Sequence, residues 1–449
     1  MNRTGSTDDR RIKDFHGGIE LIHKKNFNLS GIEDFSKVIT FNPEKVFIPL
    51  QQHIGAPGNP IVKQGDYVKV GQIVGELEGK ISANVHASVS GSVTGIEKRV
   101  QAGGKKVECV VIENDGQNNT VSVLPYKGNP EELSGEQIAQ CAEHAGIVGL
   151  GGATFPSHVK LSPREDINTV VFNGAECEPL LMADAAQMYN ESDLFLEGCV
   201  ATLKAVEASK GIIGIEEDKV ESIGAVKKAA EGYSDIEVIV VPSRYPQGAT
   251  EMLVHTVTGK EIPIGSSSRD LGILVINVAT VISLARALKT GCPLTHRMCS
   301  VVGDIKNPRN VYFPLGTRAG DLIEFCGGFT GNPSKVTMGG LMMGKSLETL
   351  ESSLTKAANG LVVINEENDD TEFEETPCIK CGRCVYVCPM KLLPYQLDDF
   401  ARIKRWDRLE SLKSEACINC GCCTYICPSK RKLAETITNA NDELKERSK

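Results

Sequence analysis

Two cysteine runs dominate the chemistry open to this 449-residue chain. Cys378-x2-Cys381-x2-Cys384-x3-Cys388-Pro389 and Cys417-x2-Cys420-x2-Cys423-x3-Cys427-Pro428 hold eight of its sixteen cysteines. Three thiolates at three-residue intervals wrap one face of a cubane iron-sulfur cluster, and the local chain cannot carry a fourth round it. In two-cluster ferredoxins the fourth cysteine of each run ligates the other cluster. The expected ligand sets are Cys378, Cys381, Cys384 and Cys427 for one 4Fe-4S cluster, and Cys417, Cys420, Cys423 and Cys388 for the second. Zinc, the other common tenant of Cys-x2-Cys pairs, takes four ligands and leaves the third cysteine and the Cys-Pro step unexplained. Cys422 breaks the repeat and reads as a packed neighbour.

A second constellation lies upstream. Gly149-Leu-Gly-Gly-Ala-Thr-Phe155-Pro156-x3-Lys160 follows a helix-like stretch at 137–145 and precedes a β-like run at 167–172. Its glycines allow close backbone approach to a phosphate or a flat ring, and successive amides with Lys160 could neutralise a phosphate. By itself such a loop is as readily a plain turn. The following strand ends in Asn173-Gly-Ala-Glu176-Cys177-Glu178-Pro179, placing two carboxylates where open α/β sheets bind ligands. Further strands are expected at 237–241 and 273–278, with a helix at 221–230 before the former. Strands alternating with helices predict a parallel α/β sheet.

The surrounding chain must position these groups. Its length implies three or four domains, and 41% hydrophobic with 24% charged residues suits a globular protein. A formal net charge of -9 argues against nucleic acid as a partner. The longest apolar stretch, at 270–286, falls short of the ~20 residues of a membrane span. The polar start of the chain lacks a secretory signal, so a reducing cytosol is expected. Charge is unevenly spread: residues 376–432 carry 11 basic and 5 acidic side chains, against 35 and 49 in residues 1–375. An acidic run (Glu366, Glu367, Asp369, Asp370, Glu372, Glu374, Glu375) reads as a solvated linker between them. The basic face either confers solubility or docks an acidic redox partner or an anionic membrane, with Lys404 and Arg405 as test positions. Between the cysteine runs, residues 393–412 read as helix, with Leu397, Phe400, Ala401 and Ile403 apolar. Seven scattered cysteines (109, 141, 177, 199, 292, 299 and 326) read as buried small hydrophobes, Cys177 having the best claim to a redox role.

The Gly149-x-Gly-Gly-Ala-x-Phe-Pro loop, the Asn-x-x-Glu-x-Glu-Pro segment and Asn277-Val-x-Thr280 resemble the FMN- and NADH-binding subunit of respiratory complex I. With Phe15-His-Gly-Gly-Ile19, the Tyr245-Pro-Gln-Gly248 loop and the paired cluster motifs, nearly the whole chain resembles the RnfC family of the Rnf complex, an ion-translocating ferredoxin:NAD oxidoreductase. The resemblance implies FMN contacts at Gly149, Gly151, Gly152, Lys160, Asn173, Glu176, Tyr245, Gly248, Asn277 and Thr280. It places Phe155 and Glu178 on the nicotinamide nucleotide, Glu176 and Glu178 being the catalytic candidates without covalent catalysis. The chain departs from the complex I pattern at Leu150, Ala175 and Ile276, where arginine, aspartate and asparagine stand, and at Ala249 and Thr250, where a glutamate pair stands.

The implied fold is multidomain α/β. Residues 1–130 would contain a β barrel-sandwich hybrid at about 43–115, followed by a Rossmann-like FMN/NADH domain at 131–295 and a β-grasp (SLBB-like) module at 296–365. A linker at 366–375, a helical two-cluster ferredoxin-like module at 376–432 and a charged tail at 433–449 would complete it. No lysine stands at the barrel's hairpin region beside His86 and Ala87, so a carrier role is not expected. The implied function is exchange of hydride between NAD(H) and FMN and of single electrons through two 4Fe-4S clusters. The expected setting is the cytoplasmic face of the cell membrane, with other Rnf-type subunits as partners and ferredoxin as indirect donor. The alternatives are a soluble flavin and iron-sulfur cobalamin reductase of microcompartments, and a cluster-bearing scaffold without flavin.

Overall fold

The computed structural model describes residues 13–20, 29–163, 166–369 and 374–447; Asp370 and Glu372 of the acidic run lie outside them. The central domain is built on four parallel strands, ordered Ile236–Val241, Lys210–Glu216, Thr169–Gly174 and Ile273–Asn277. Alternate residues serve opposite faces, as a strand's period of two demands. Val170, Phe172, Ile213, Ile215, Leu274 and Ile276 pack with helices Ser192–Ala205 and Val278–Thr290, whereas Val171, Ile212 and Val275 pack with Leu253 and Val254 of helix Thr250–Thr258. Chain order reverses between the first strand and the last, so the ligand crevice of such a sheet falls at their adjoining ends. Asn173 and Asn277 are register partners there.

The N-terminal barrel pairs strands Lys45–Pro49, Lys106–Asn114, Gly91–Val100 and Tyr67–Val68, faced by the short strands Asn59–Pro60, Ile73–Glu76 and Val85–His86. His86 is buried, which removes it from any exposed hairpin tip. It lies beside Gly146 and Lys356, whose ammonium bonds the carbonyls of Asn84 at 2.9 Å and Gly146 at 2.7 Å. One lysine thus ties three modules. The β-grasp sheet runs Val38–Thr40, Arg309–Pro314, His296–Gly303, Gly360–Asn365, Pro333–Met338 and Lys345–Ser346, over helix Ala319–Phe325. Its edge strand Val38–Thr40 precedes the barrel in sequence and pairs in parallel with Arg309–Pro314.

The C-terminal module differs from the sequence expectation in two ways. The single helix expected at 393–412 is two, Pro394–Arg402 and Trp406–Ser411. Lys404 takes a left-handed conformation, φ 53°, and the amide of Arg405 returns to the Phe400 carbonyl, a Schellman termination without its usual glycine. Leu397 and Ala401 are buried, but Ile403 beyond the break is exposed. The segment expected as a charged tail is helical over Leu433–Arg447 and buries Leu433, Ala434, Ile437 and Ala440 in the module. Among the described residues no helix is long and apolar enough to cross a membrane.

Candidate functional site

The two cysteine runs adopt matching backbones. Lys380 and Asn419, at equivalent positions, have φ 56° and 52°; Gly382 and Gly421 have 76° and 78°. At the left-handed step the Lys380 amide faces back toward the first thiol, 3.4 Å from Cys378 Sγ. Short helices Arg383–Tyr386 and Cys422–Tyr425 then carry the third cysteine of each run inward.

Two partly open voids of similar extent result, about 370 and about 340 Å³ with the solvent at their mouths included. The first is lined by Cys388, Cys417, Cys420 and Cys423, and the second by Cys378, Cys381, Cys384 and Cys427. Among the described residues no three His, Cys, Asp or Glu side chains converge as tightly as a single metal ion requires. Four thiols ringing a larger space, with amides directed at sulfur, form a donor set that fits a cubane cluster. Leu433 lines the second void, and Ala434 and Ile437 the first, so the C-terminal helix closes both. Cys422 also lines the first void but turns into an apolar seam with Ile19, Tyr245, Val387 and Cys420.

At the sheet's strand ends, the glycine loop is stapled at its base by the Gly149 amide on the Phe155 carbonyl (2.8 Å) and the Thr154 amide on the Gly149 carbonyl (3.0 Å). Among the described residues, the amides of Gly151, Gly152 and Ala153 find no backbone acceptor, and all three residues are exposed. A Cβ on Gly151 would press on Asn277 at 3.2 Å, while Gly152, at φ +104°, faces open space. Exposed amides without backbone acceptors, with Lys160 on the helix that follows, make a donor set fit for the phosphate and ribityl chain of a flavin nucleotide. Lys160 reaches the Val275 carbonyl at 3.5 Å; burial, and then Arg269, lower its pKa.

Other residues matched to flavin contacts hold this loop and its floor. The Leu150 amide donates to the Thr280 hydroxyl at 2.9 Å, and Arg297 donates to the Leu150 carbonyl at 2.9 Å. Asn277 caps helix Val278–Thr290 through the Ala279 amide and donates to Asp184 at 2.6 Å. Asn173 donates to the Gly248 carbonyl at 2.8 Å. Glu176 is buried and accepts the amides of Asp184 and Ala185 at the start of helix Ala183–Asn190, its pKa raised by burial and then by Asp184. Tyr245 turns away from the loop: its hydroxyl donates to the Cys420 carbonyl at 2.7 Å.

Phe155 is half-buried at the end of the loop. Glu178 is half-buried and accepts the amides of Met342 and Met343. Burial pushes its pKa up to about 7 and those two amides draw it down. The sequence reading missed Asp184, Arg297 and Glu216, all buried near the strand ends. Burial pushes Glu216 up to about 8, which Lys219 partly offsets. Strand His296–Gly303 also carries His296 and Ser300, so an arginine within it gave no distinct signal. Of the scattered cysteines, 109, 141, 199, 299 and 326 are buried as expected, whereas Cys177 and Cys292 are partly exposed. Cys177 packs against Tyr245 and receives the Gly248 amide at 3.3 Å, its thiol pushed well up by burial.

A parallel sheet with a glycine loop of exposed amides at its strand ends, joined to two thiol-lined voids, fits a flavin and iron-sulfur electron-transfer protein. Family models match in the same order: an RnfC barrel sandwich hybrid domain at 13–117, a Nuo51 FMN-binding domain at 142–286, an SLBB domain at 298–346 and a 4Fe-4S dicluster domain at 377–431. The RnfC-type subunit of the Na(+)-translocating ferredoxin:NAD(+) oxidoreductase complex of Acetobacterium woodii is 41% identical over 96% of this chain and 97% of its own. The counterpart in the proton-translocating complex of Clostridium ljungdahlii is 39% identical over 86% of this chain and 84% of its own. The chain belongs to the RnfC family, whose members are subunits of the ion-translocating ferredoxin:NAD(+) oxidoreductase complexes. An NAD+-reducing [NiFe]-hydrogenase in the H2-reduced state is similar at TM-score 0.49 and 18% identity, over 69% of this chain and 61% of that one.

Proposed function

We propose that this chain is the peripheral electron-transfer subunit of a membrane-bound ferredoxin:NAD+ oxidoreductase complex, sited on its cytoplasmic face, with ferredoxin as indirect donor and NAD(H) as substrate. FMN, when bound, exchanges hydride with the nucleotide and single electrons with the clusters, matching two-electron to one-electron chemistry. The amides of residues 151–153 and Lys160 would hold its phosphate and ribityl chain. Phe155 would stack on the nicotinamide nucleotide and Glu178 would accept a hydrogen bond from it. Thr280 and Arg297 keep the loop in place by gripping both backbone groups of Leu150. The crossed cysteine sets lining the two voids are read as the ligands of two 4Fe-4S clusters.

One observation carries the reading: the void of Cys388, Cys417, Cys420 and Cys423 is fastened directly to the flavin domain. Tyr245, 2% exposed, follows the strand Ile236–Val241 and bonds the Cys420 carbonyl. The Phe15–Ile19 phrase threads between them, with Gly18 donating to the Val387 carbonyl at 2.8 Å and Ile19 exchanging backbone bonds with Tyr245. A Cβ on Gly17 would strike the Cys388 carbonyl at 2.8 Å. This supports a proximal cluster in that void and a distal one at Cys378, Cys381, Cys384 and Cys427. The close relatives belong to such complexes, which favours this reading over a cobalamin reductase. The test is anaerobic purification with flavin, iron and sulfide counting and an NADH:ferricyanide assay. About one FMN, about eight iron and NADH oxidation are expected per chain; a protein with eight iron but no flavin or NADH oxidation would be a scaffold.

A further inference from the structure

One loop of the β-grasp module closes on the flavin domain. The 339–344 loop, Gly-Gly-Leu-Met-Met-Gly, reaches over the strand ends of the flavin domain and closes on Glu178. The Met342 amide donates to Glu178 Oε2 at 2.9 Å and the Met343 amide to Oε1 at 2.8 Å, one donor for each carboxylate oxygen. The approach leaves no room at Gly340, where a Cβ would overlap the carboxylate, nor at Gly344, where it would overlap the Gly340 carbonyl. Gly339, at φ +101°, takes a conformation that other residues resist. The working groups are backbone amides: the Met343 side chain is itself exposed. Met342 meanwhile packs into the apolar seam with Tyr245, Val387 and Cys420, and its carbonyl lies 3.3 Å from where a Cβ on Gly421 would stand.

We propose that the 339–344 loop is a positioning element of the nucleotide site, its Met342 and Met343 amides holding the Glu178 carboxylate in the one orientation that NADH meets. The inference rests on the reading of Glu178 as a nucleotide contact. A carboxylate taking two backbone N–H bonds loses its rotational freedom, and the ordering cost is met in folding instead of at binding. Because the adjacent Met342 also packs beside Cys420, a two-residue segment fixes both the nucleotide carboxylate and one wall of the proximal void. The β-grasp module thereby acts as a brace between nucleotide and cluster.

The test uses the full chain, purified anaerobically with flavin and clusters in place. Gly340→Ala pushes the loop off Glu178 without altering any side chain of the site. The KM for NADH in the ferricyanide assay should rise about tenfold with less than a twofold change in kcat. Glu178→Asp keeps the charge but draws the carboxylate back from both amides, and should raise KM as well. An unchanged KM in a folded, flavin-loaded Gly340→Ala protein would overturn the proposal. Should that variant fail to fold, amide hydrogen exchange on the wild type decides: residues 342 and 343 should stay protected with and without NADH. Their release on adding NADH would make the loop a competitor for Glu178 and sink the idea. A wild type that binds flavin but does not oxidise NADH would instead remove the functional reading beneath it.

Discussion

The two cysteine runs share spacing, backbone conformation and void size, yet equivalent residues meet opposite surroundings. Cys381 is exposed and Cys420 buried; Ile379 is 67% exposed, while its counterpart Ile418 packs in the seam with Tyr245. Tyr386 is 75% exposed against 40% for Tyr425. The walls differ as well. The Cys420 side is held by an apolar seam and one buried hydroxyl bond. The Cys378 side is held by charge: Arg431, 9% exposed in its side chain, lines that void and pairs with Asp398, Asp399 and Glu375. A repeat dictates which thiols gather, and the surroundings dictate which site faces inward and which meets a partner.

The largest test of that contrast is its crossing. Cys388 belongs to the first run but lines the void of the second. Cys388→Ala should therefore leave about four iron atoms per chain instead of about eight, and remove the same electron paramagnetic resonance signal as Cys417→Ala. Loss of the signal that Cys381→Ala removes would show that each run ligates its own cluster. Next in size is Arg431→Met. Asp398 is fully buried and, among the described residues, would keep only Arg402 as an ion-pair partner, at 3.0 Å. Breaking such a buried network costs about 3 kcal/mol, so denaturant unfolding should shift to lower concentration, with the distal signal lost first. Tyr245→Phe is milder. It strands the Cys420 carbonyl in an apolar seam, costing about 1–2 kcal/mol, and should alter the proximal signal while sparing the distal one.

How much of this was legible without coordinates depended on whether a relation was local. The two sets of void-lining cysteines were readable because their spacing and the crossing rule need only the chain nearby. The parallel flavin sheet followed from strand patterns alternating with helical ones. What could not be read was where a side chain points once distant segments close on it. Glu176 and Glu178 are two residues apart in one motif, yet one caps helix Ala183–Asn190 and the other meets a loop 164 and 165 residues onward. Asp184 and Arg297 were missed because a buried charge is recognisable only with its partners in place. The break at Lys404 was hidden because a lysine there does what glycine ordinarily signals.

The same contrast decides where a partner should touch. Lys404 and Arg405, the test positions suggested by charge alone, are engaged within the module, with Glu443 at 3.4 Å and Asp407 at 2.8 Å. Reversing them would disturb local pairs as much as any docking. Lys380 and Arg383 are exposed and flank Cys381, the exposed cysteine of the outward void, beside exposed Ile379 and Tyr386. An acidic redox partner approaching that void would be steered by these cations and seated on the apolar pair. Lys380→Glu with Arg383→Glu should slow electron exchange with the partner complex by about tenfold at low ionic strength, the difference shrinking as salt screens it. NADH:ferricyanide turnover, which needs only the flavin end, is the internal reference for that rate. An equal loss at low and high salt would mean damage to the distal cluster itself, and no loss at either would place the partner on another face.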